Sequence, residues 1–354
     1  MDALGSGPDE QQTGGTAGSA TELANSAVAA VAPTVPASRR IIVVSTVTAL
    51  VVLLVAEFLY FTLAAPFFFT WDNFLNVLTA AAIIGIIAAP GTMLLIAGQF
   101  DLSVGSGVAF CGMVLAVVAQ NHGLFLGVVA AIAAGAGLGV LNGFLVTVIE
   151  INALITTLGT LAVFRGLTEV LSHGEVVGIT GFSTIGTARP FLNIPMPVII
   201  LVLIVAIFWF VLRNTTYGRW MYAIGSNPVA ARLVGIRSKR IIFIAFLLSG
   251  LCVALGGLIN ASQLGSASPN TALGMELSVI TAIVLGGTSL TGGRGTILGT
   301  VVGLLVISVL NNGMVLMNID PFYQDIARGV LLILAVAFDR LSSRFEARSK
   351  RAAA

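Results

Sequence analysis

The chain has 354 residues, of which 57% are hydrophobic and only 9% charged, with a formal net charge of +2. Soluble domains carry about 25% charged residues, so an ordinary water-soluble fold is excluded. The long apolar runs do not alternate with polar residues, which excludes a β-barrel. Two cysteines and two histidines offer neither a disulfide framework nor a metal cluster.

Residues 1 to about 38 are Gly, Ala, Ser, Thr and Pro with a few acids. Such a composition buries too little apolar area to offset ordering, so it reads as a disordered tail. It lacks the basic start of a signal peptide; Arg39 and Arg40 come late, directly before the first apolar run. From there to about residue 340 the pattern predicts an all-α polytopic membrane domain. Ten spans are expected near 41–63, 75–97, 104–119, 123–148, 153–170, 196–213, 241–260, 275–290, 295–316 and 323–339. Each long run is sufficient as a helix to cross a hydrocarbon core of about 30 Å, inside which the backbone must satisfy itself. The third and eighth are short for a full crossing and read as half-helices or tilted neighbours of a broken segment. Residues 341–354 form a basic tail.

Most of the 17 Lys and Arg residues fall on one side if the N-terminus is inside. Arg39, Arg40, the loop residues Arg213, Arg219, Arg232, Arg237, Lys239 and Arg240, then Arg294, and the tail with Arg340, Arg344, Arg348, Lys350 and Arg351 all lie there. Positive charge stays cytoplasmic, so both termini are expected inside. Arg189 alone falls in an outside loop, while Arg165 and Arg328 fall within spans. That loop, about 171–194, is either a connector or a docking surface on the outer face.

Between Asn73 and Ile149 the sole charged residue is Asp101, in "AGQFDLSVGSG". At the inner end of the second span it can cap the third helix by accepting from the amides near Ser103 and Val104. Alternatively, Pro90-Gly91 and the glycines at 98, 105 and 107 break the span and turn Asp101 into a substrate path. Arg165 is the nearest partner of opposite sign in this reading.

The loop "YAIGSNPVAARLVGIRSKR" (222–240) carries its own helix signals. Asn227 is a good N-cap, Pro228 suits the first helical position and Gly235 the left-handed stop. A basic loop held at anionic headgroups accounts for the arginines, but not for a capped Ala-Ala knob, which fits docking into a groove on another protein. The glycine-rich "LGGTSLTGGRGT" (285–296) resembles a phosphate loop at a glance. The chain has only two lysines, Lys239 and Lys350, each in "SKR", so no P-loop is present and no ATPase is expected here. Dense glycine in a membrane protein rather permits close helix approach or a backbone break.

At these residues a resemblance becomes plain. "GSNPVAARLVGI" resembles the coupling-loop segment of ATP-binding-cassette (ABC) importer permeases, with Ala230-Ala231 and Gly235 matching its core and Val229 in place of the usual Glu. "GQFDLSVGS" (98–106), "NGFLVTVIEINALITTLGTLAVFRGL" (142–167) and "ELSVITAIVLGGTSLTGGRGTILGT" (276–300) are similar to segments of ribose-type permeases. Gln99-Phe100 and Asn152-Ala153 depart from that pattern. The resemblance covers about residues 45 to 339. It implies a type II ABC importer-like permease subunit in a bacterial plasma membrane, with a second permease subunit as partner. It also implies cytoplasmic ATP-binding subunits that hold the ATP, so no cofactor in this chain, and a periplasmic or lipid-anchored substrate-binding protein. Coupling to the ATPase is then carried by Asn227, Pro228, Ala230, Ala231, Arg232 and Gly235.

Candidates for the translocation pathway are Asp101 and uncharged polar groups on apolar spans: Asn142, Thr156, Thr157, Thr160, Asn260, Gln263 and Thr281. Each could instead make an interhelical hydrogen bond. The shortage of buried charge points to a small neutral polar cargo, a sugar or polyol, and nothing points to nucleic acid. A branched-chain amino-acid or nucleoside ABC permease is the near alternative. An ion-coupled secondary transporter would need mid-membrane ionisable groups, for which Asp101, Glu169, Glu276 and Arg165 are the candidates. A membrane enzyme finds no supporting cluster.

Overall fold

The structure, a computed structural model, describes residues 37–352, with side chains described for 48–337. The tail expected over 1–38 therefore lies almost wholly outside the described residues. The chain divides into two units, Met1–Ser45 and Thr46–Ala354, and the helical bundle belongs to the second.

Thirteen helices are described: α1 (Ala37–Ala64), α2 (Trp71–Ile96), α3 (Val104–His122), α4 (Leu124–Thr147), α5 (Ala153–Ser172), α6 (Thr184–Thr187), α7 (Met196–Asn214), α8 (Thr216–Ser226), α9 (Pro228–Leu233), α10 (Ser238–Leu264), α11 (Met275–Leu285), α12 (Ile297–Leu316) and α13 (Pro321–Ala352). Two short strands, β1 (Val177–Gly178) and β2 (Ser266–Ala267), pair antiparallel. Each expected span coincides with a helix. Among the described residues seven of them, α2–α5, α7, α10 and α12, are long and apolar enough to cross a membrane. The expected third span gains a turn and reaches His122. The expected eighth does not cross: α11 has 11 residues, about 16 Å at a helical rise of about 1.5 Å per residue.

Helix ends follow local chemistry. Thr70 caps α2 by accepting from Asn73 N at 3.3 Å, and Thr296 caps α12 by accepting from Gly299 N at 3.0 Å. Pro90 lies inside α2, yet the helix continues to Ile96. The break entertained at Pro90-Gly91 is therefore not made, because packed neighbours hold a membrane helix through a proline. The chain turns away only after α2 has ended, at Gly98 with φ +75°.

α2 and α10 form the centre. α10 packs on α2, α3 and α4, while α2 also packs on α7 and α12. Their contact faces, with Ile86, Ile87, Leu94, Ile96, Phe246, Val253 and Ile259, are buried in one apolar core. α4, α5 and α7 keep most of their apolar residues on the outer surface, as expected of helices that face lipid. The half-helix α11 packs between α12, α13 and α2.

Candidate functional site

Two arrangements collect the coupling residues and three of the pathway candidates singled out by sequence. The first is the arm formed by α8 and α9. Asn227 is extended (φ −156°, ψ 96°), and its Oδ1 accepts from Val229 N at 3.1 Å and Ala230 N at 3.0 Å. Pro228 opens α9, where its missing N–H costs nothing. Gly235 ends it at φ +81°, its amide donating to Arg232 O at 3.0 Å. A side chain at that φ would be strained. Arg232 Nε donates back to Pro228 O at 3.2 Å, within the same turn.

Of the residues expected to couple, Asn227, Pro228, Ala230, Arg232 and Gly235 are exposed, but Ala231 is not. Ala231 is 3% exposed and belongs to the chain's own core, whereas Val229, Leu233 and Val234 are 61%, 83% and 75% exposed. Ala230 is also exposed. Beside the exposed Asn227, Pro228 and Arg232, the apolar surface available to a partner is Val229, Ala230, Leu233 and Val234. Sequence reasoning missed three of these four. Their signal was present, since Val229 and Leu233 stand within the six-residue polar-capped helix and Val234 directly follows it.

The arm is fastened to the bundle. Tyr217 Oη donates to Ile241 O at 2.8 Å, and Tyr222 Oη donates to Gly295 O at 2.7 Å. Burial pushes both phenols up, so both remain protonated donors. Behind Tyr222 three backbones converge. Gly293 N donates to Ile96 O at 2.8 Å, and Gly225 lies so close that a Cβ there would strike the Ile96 carbonyl and the Gly293 amide. The end of α2, the end of α8 and the glycine-rich turn 286–296 are therefore one packed unit. Beside α9 a hollow of about 600 Å³ is walled by Gln99, Glu150, Asn152, Pro228, Arg232 and Lys239, among others. Lys239 Nζ pairs with Glu150 across it, and this hydrogen bond and charge hold the Glu150 carboxyl below the usual carboxylate range.

The second arrangement is a buried polar network around Asp101. Oδ1 accepts from Ser103 N at 3.1 Å and Ser103 Oγ at 2.6 Å, and Oδ2 accepts from Ser249 Oγ on α10 at 2.9 Å. Asn142 Nδ2 on α4 donates to Ser103 Oγ at 2.8 Å, and Thr160 Oγ1 on α5 donates to Asn142 Oδ1 at 2.8 Å. One carboxylate thus joins the 97–103 turn to α10 and, through Ser103, to α4 and α5. Of the two amides expected, Asp101 takes Ser103 alone, and Ser103 itself is the residue flanking α3.

Arg165 is not the partner of Asp101. Its guanidinium donates to the carbonyls of Pro269 and Thr271, the latter at 2.9 Å. It thereby holds the segment that leads from α10 into the half-helix α11. Glu276, in the first turn of α11, lies against Gly105 on α3.

The remaining pathway candidates separate. Thr157 Oγ1 donates to Ala153 O at 2.8 Å and Thr281 Oγ1 to Leu277 O at 2.6 Å, each within its own helix. Thr156 on α5 is buried with a hydroxyl that has no protein partner. Asn260 is half-buried on α10. Gln263 stands at the far end of α10, where it lines a polar hollow. Glu57 on α1, absent from the sequence candidates, has a buried Oε2 with no protein partner. No group of three metal-ligating side chains occurs among the described residues.

Comparison with known proteins adds the family. A sequence-family profile described as branched-chain amino acid transport system / permease component matches residues 73–336. The chain is similar to the ribose import permease protein RbsC of Escherichia coli K12, at 39% identity over 298 residues, covering 82% of this chain and 92% of that protein. It is similar to the L-arabinose transport system permease protein AraH of the same organism, at 42% identity over 282 residues, 79% of this chain and 86% of that protein. A probable ABC transporter permease protein of that strain, YphD, is 37% identical over 304 residues, 85% of this chain and 92% of that protein. No solved structure matches.

Proposed function

Because the chain belongs to the branched-chain amino acid transport system / permease component family, we propose that it is the membrane-spanning subunit of an ABC importer carrying a neutral sugar or polyol. The observation that carries the reading is the α8–α9 arm: a capped helix with an exposed apolar face, fastened by its base to the end of a central span. Similarity to ribose and L-arabinose permeases over more than three quarters of the chain supports a sugar cargo.

In this reading ten segments, including the half-helix α11, build a type II importer fold with α9 and both termini on the cytoplasmic side. The Lys and Arg residues around α9 support that orientation. The exposed face of α9 seats in a groove on a cytoplasmic ATP-binding subunit, where the ATP is held. A binding protein delivers the solute at the opposite end, and a second permease subunit, identical or not, completes the pathway.

Closure of the ATPase subunits would push α9. The close backbone contacts at Gly225, Gly293 and Ile96 would pass that displacement to α2 and to the turn before α12, since packed interfaces shift as units rather than deform. The Asp101 network keeps the start of α3 rigid relative to α4, α5 and α10 while this happens.

The test is reconstitution. The purified chain alone should show no ATP turnover. With its ATPase partner in nanodiscs, turnover should rise on adding solute-loaded binding protein. Steady turnover by the isolated chain would overturn the reading.

A further inference from the structure

The end of the bundle opposite α9 carries a second polar hollow, where α2 begins and α10 ends. Its volume is about 410 Å³, and its polar lining comes from Asn76, Thr79, Thr187, Arg189 and Gln263. Small-molecule sites run from about 300 to 1,000 Å³, so the hollow has room for one small solute and its water.

The hollow is held in shape by its surroundings. Gly186 N on α6 donates to Ser262 Oγ at 2.9 Å, and Ser262 Oγ donates to Phe182 O at 3.0 Å. This pair pins α6 to the end of α10. Met196 N donates to Ala188 O at 2.8 Å, closing the turn that carries Arg189. Ile179 N donates to Gly265 O at 2.8 Å, and the β1–β2 pairing fastens the same loop to the chain just beyond α10.

Its polar groups are available. The Thr79 and Thr187 hydroxyls donate within their own helical turns, to Leu75 O at 2.7 Å and Ser183 O at 2.8 Å, which leaves each oxygen free to accept. No protein hydrogen bond or ion pair engages the Asn76, Arg189 or Gln263 side chain among the described residues. Two amides each donate and accept, two hydroxyl oxygens accept, and one guanidinium donates. No carboxylate lines the hollow. A solute with several adjacent hydroxyls, each both donor and acceptor, matches such a set.

We propose that this hollow is a receiving subsite for a neutral polyhydroxylated solute, on the face away from the coupling arm. The proposal rests on the sugar-importer reading and extends it to a place in the chain. The same face could instead hold a loop of the delivering protein, and the experiment separates the two.

The complete transporter, with ATPase subunit and binding protein, is reconstituted in proteoliposomes with labelled ribose as the probe. Wild-type uptake checks the importer reading, and the ratio of variant to wild type checks the subsite. Gln263→Leu and Asn76→Leu keep size and remove hydrogen bonding. Each should lower ribose uptake about tenfold, the effect of losing one or two hydrogen bonds to the solute. The binding-protein concentration that half-saturates ATPase stimulation should stay within about twofold of wild type. Should either variant fail to assemble, Thr79→Val and Arg189→Gln provide the same comparison. Unchanged uptake in assembled variants would overturn the subsite. So would a shift confined to the half-saturating concentration of binding protein, which would make the hollow a protein-docking surface.

Discussion

The backbone amide of Gly293 donates to the carbonyl of Ile96 at 2.8 Å, joining the turn before α12 to the end of α2. Gly225 of α8 is wedged against that same bond. At this seam the arm that would meet an ATPase touches the core through backbone, beside the side-chain anchors of Tyr217 and Tyr222.

Gly225→Val should break this seam. The added branch has no room beside the Ile96 carbonyl, and overpacking of this kind costs about 1–3 kcal/mol. We expect an inserted protein that assembles with its ATPase but loses transport at least about tenfold relative to ATP turnover. Parallel measurement of uptake and turnover checks this. Tightly coupled transport by an assembled Gly225→Val complex would contradict it.

Asp101 should act as a scaffold. Asp101→Ala leaves the Ser103 and Ser249 hydroxyls without their acceptor, and a buried polar group left unsatisfied costs about 1–3 kcal/mol. Ser249→Ala removes one of them. Thermal melting in detergent should fall for both variants, further for Asp101→Ala. An unchanged melting temperature with lost transport would place Asp101 on the solute path instead.

The two sides of α9 should respond differently. Leu233→Asp alters only the exposed face and should weaken association with the ATPase while leaving melting unchanged. Ala231→Trp forces an indole into the chain's own core and should lower stability first. Gly235→Val places a β-branched residue at φ +81°, a strain of about 1–3 kcal/mol. Pull-down of the ATPase together with melting curves separates these effects. An Ala231→Trp chain with wild-type melting and lost association would restore Ala231 to the docking face.

The Glu150–Lys239 pair sets a pH dependence. Its hydrogen bond and charge lower the folded carboxyl below its unfolded value. The stabilisation is therefore present above the unfolded carboxylate range and lost as pH falls through the lowered folded value. The pair is exposed, so the effect is small and screened by salt. Wild type should melt slightly above Glu150→Gln at neutral pH, and the difference should vanish in acid. A difference that grows as pH falls would contradict the assignment.

Helix positions and the capped arm were legible because each depends on local signals. Apolar run length marks a span, and Asn227, Pro228 and Gly235 mark the ends of α9 within a few residues of each other. What a residue faces is a tertiary matter. A six-residue helix has too few turns to show which side packs on its own chain, so Ala231 was placed outside while Leu233 and Val234 went unremarked. Asp101 takes Ser103 as its capping role implied, but not the nearest candidate cation Arg165; its second oxygen is met by Ser249, 148 residues away. A buried carboxylate can be satisfied by hydroxyls as well as by a cation. Arg165 in turn is satisfied by two carbonyls of a distant segment, which no pattern of charges announces.

An ATP-driven sugar importer is tested most directly by uptake into proteoliposomes holding the complete transporter, with labelled ribose and labelled leucine supplied in turn with binding protein. Ribose should accumulate only with internal ATP and should continue to do so without proton or sodium gradients, while leucine should not accumulate. Leucine accumulation, or ribose uptake driven by an ion gradient without ATP, would contradict the assignment.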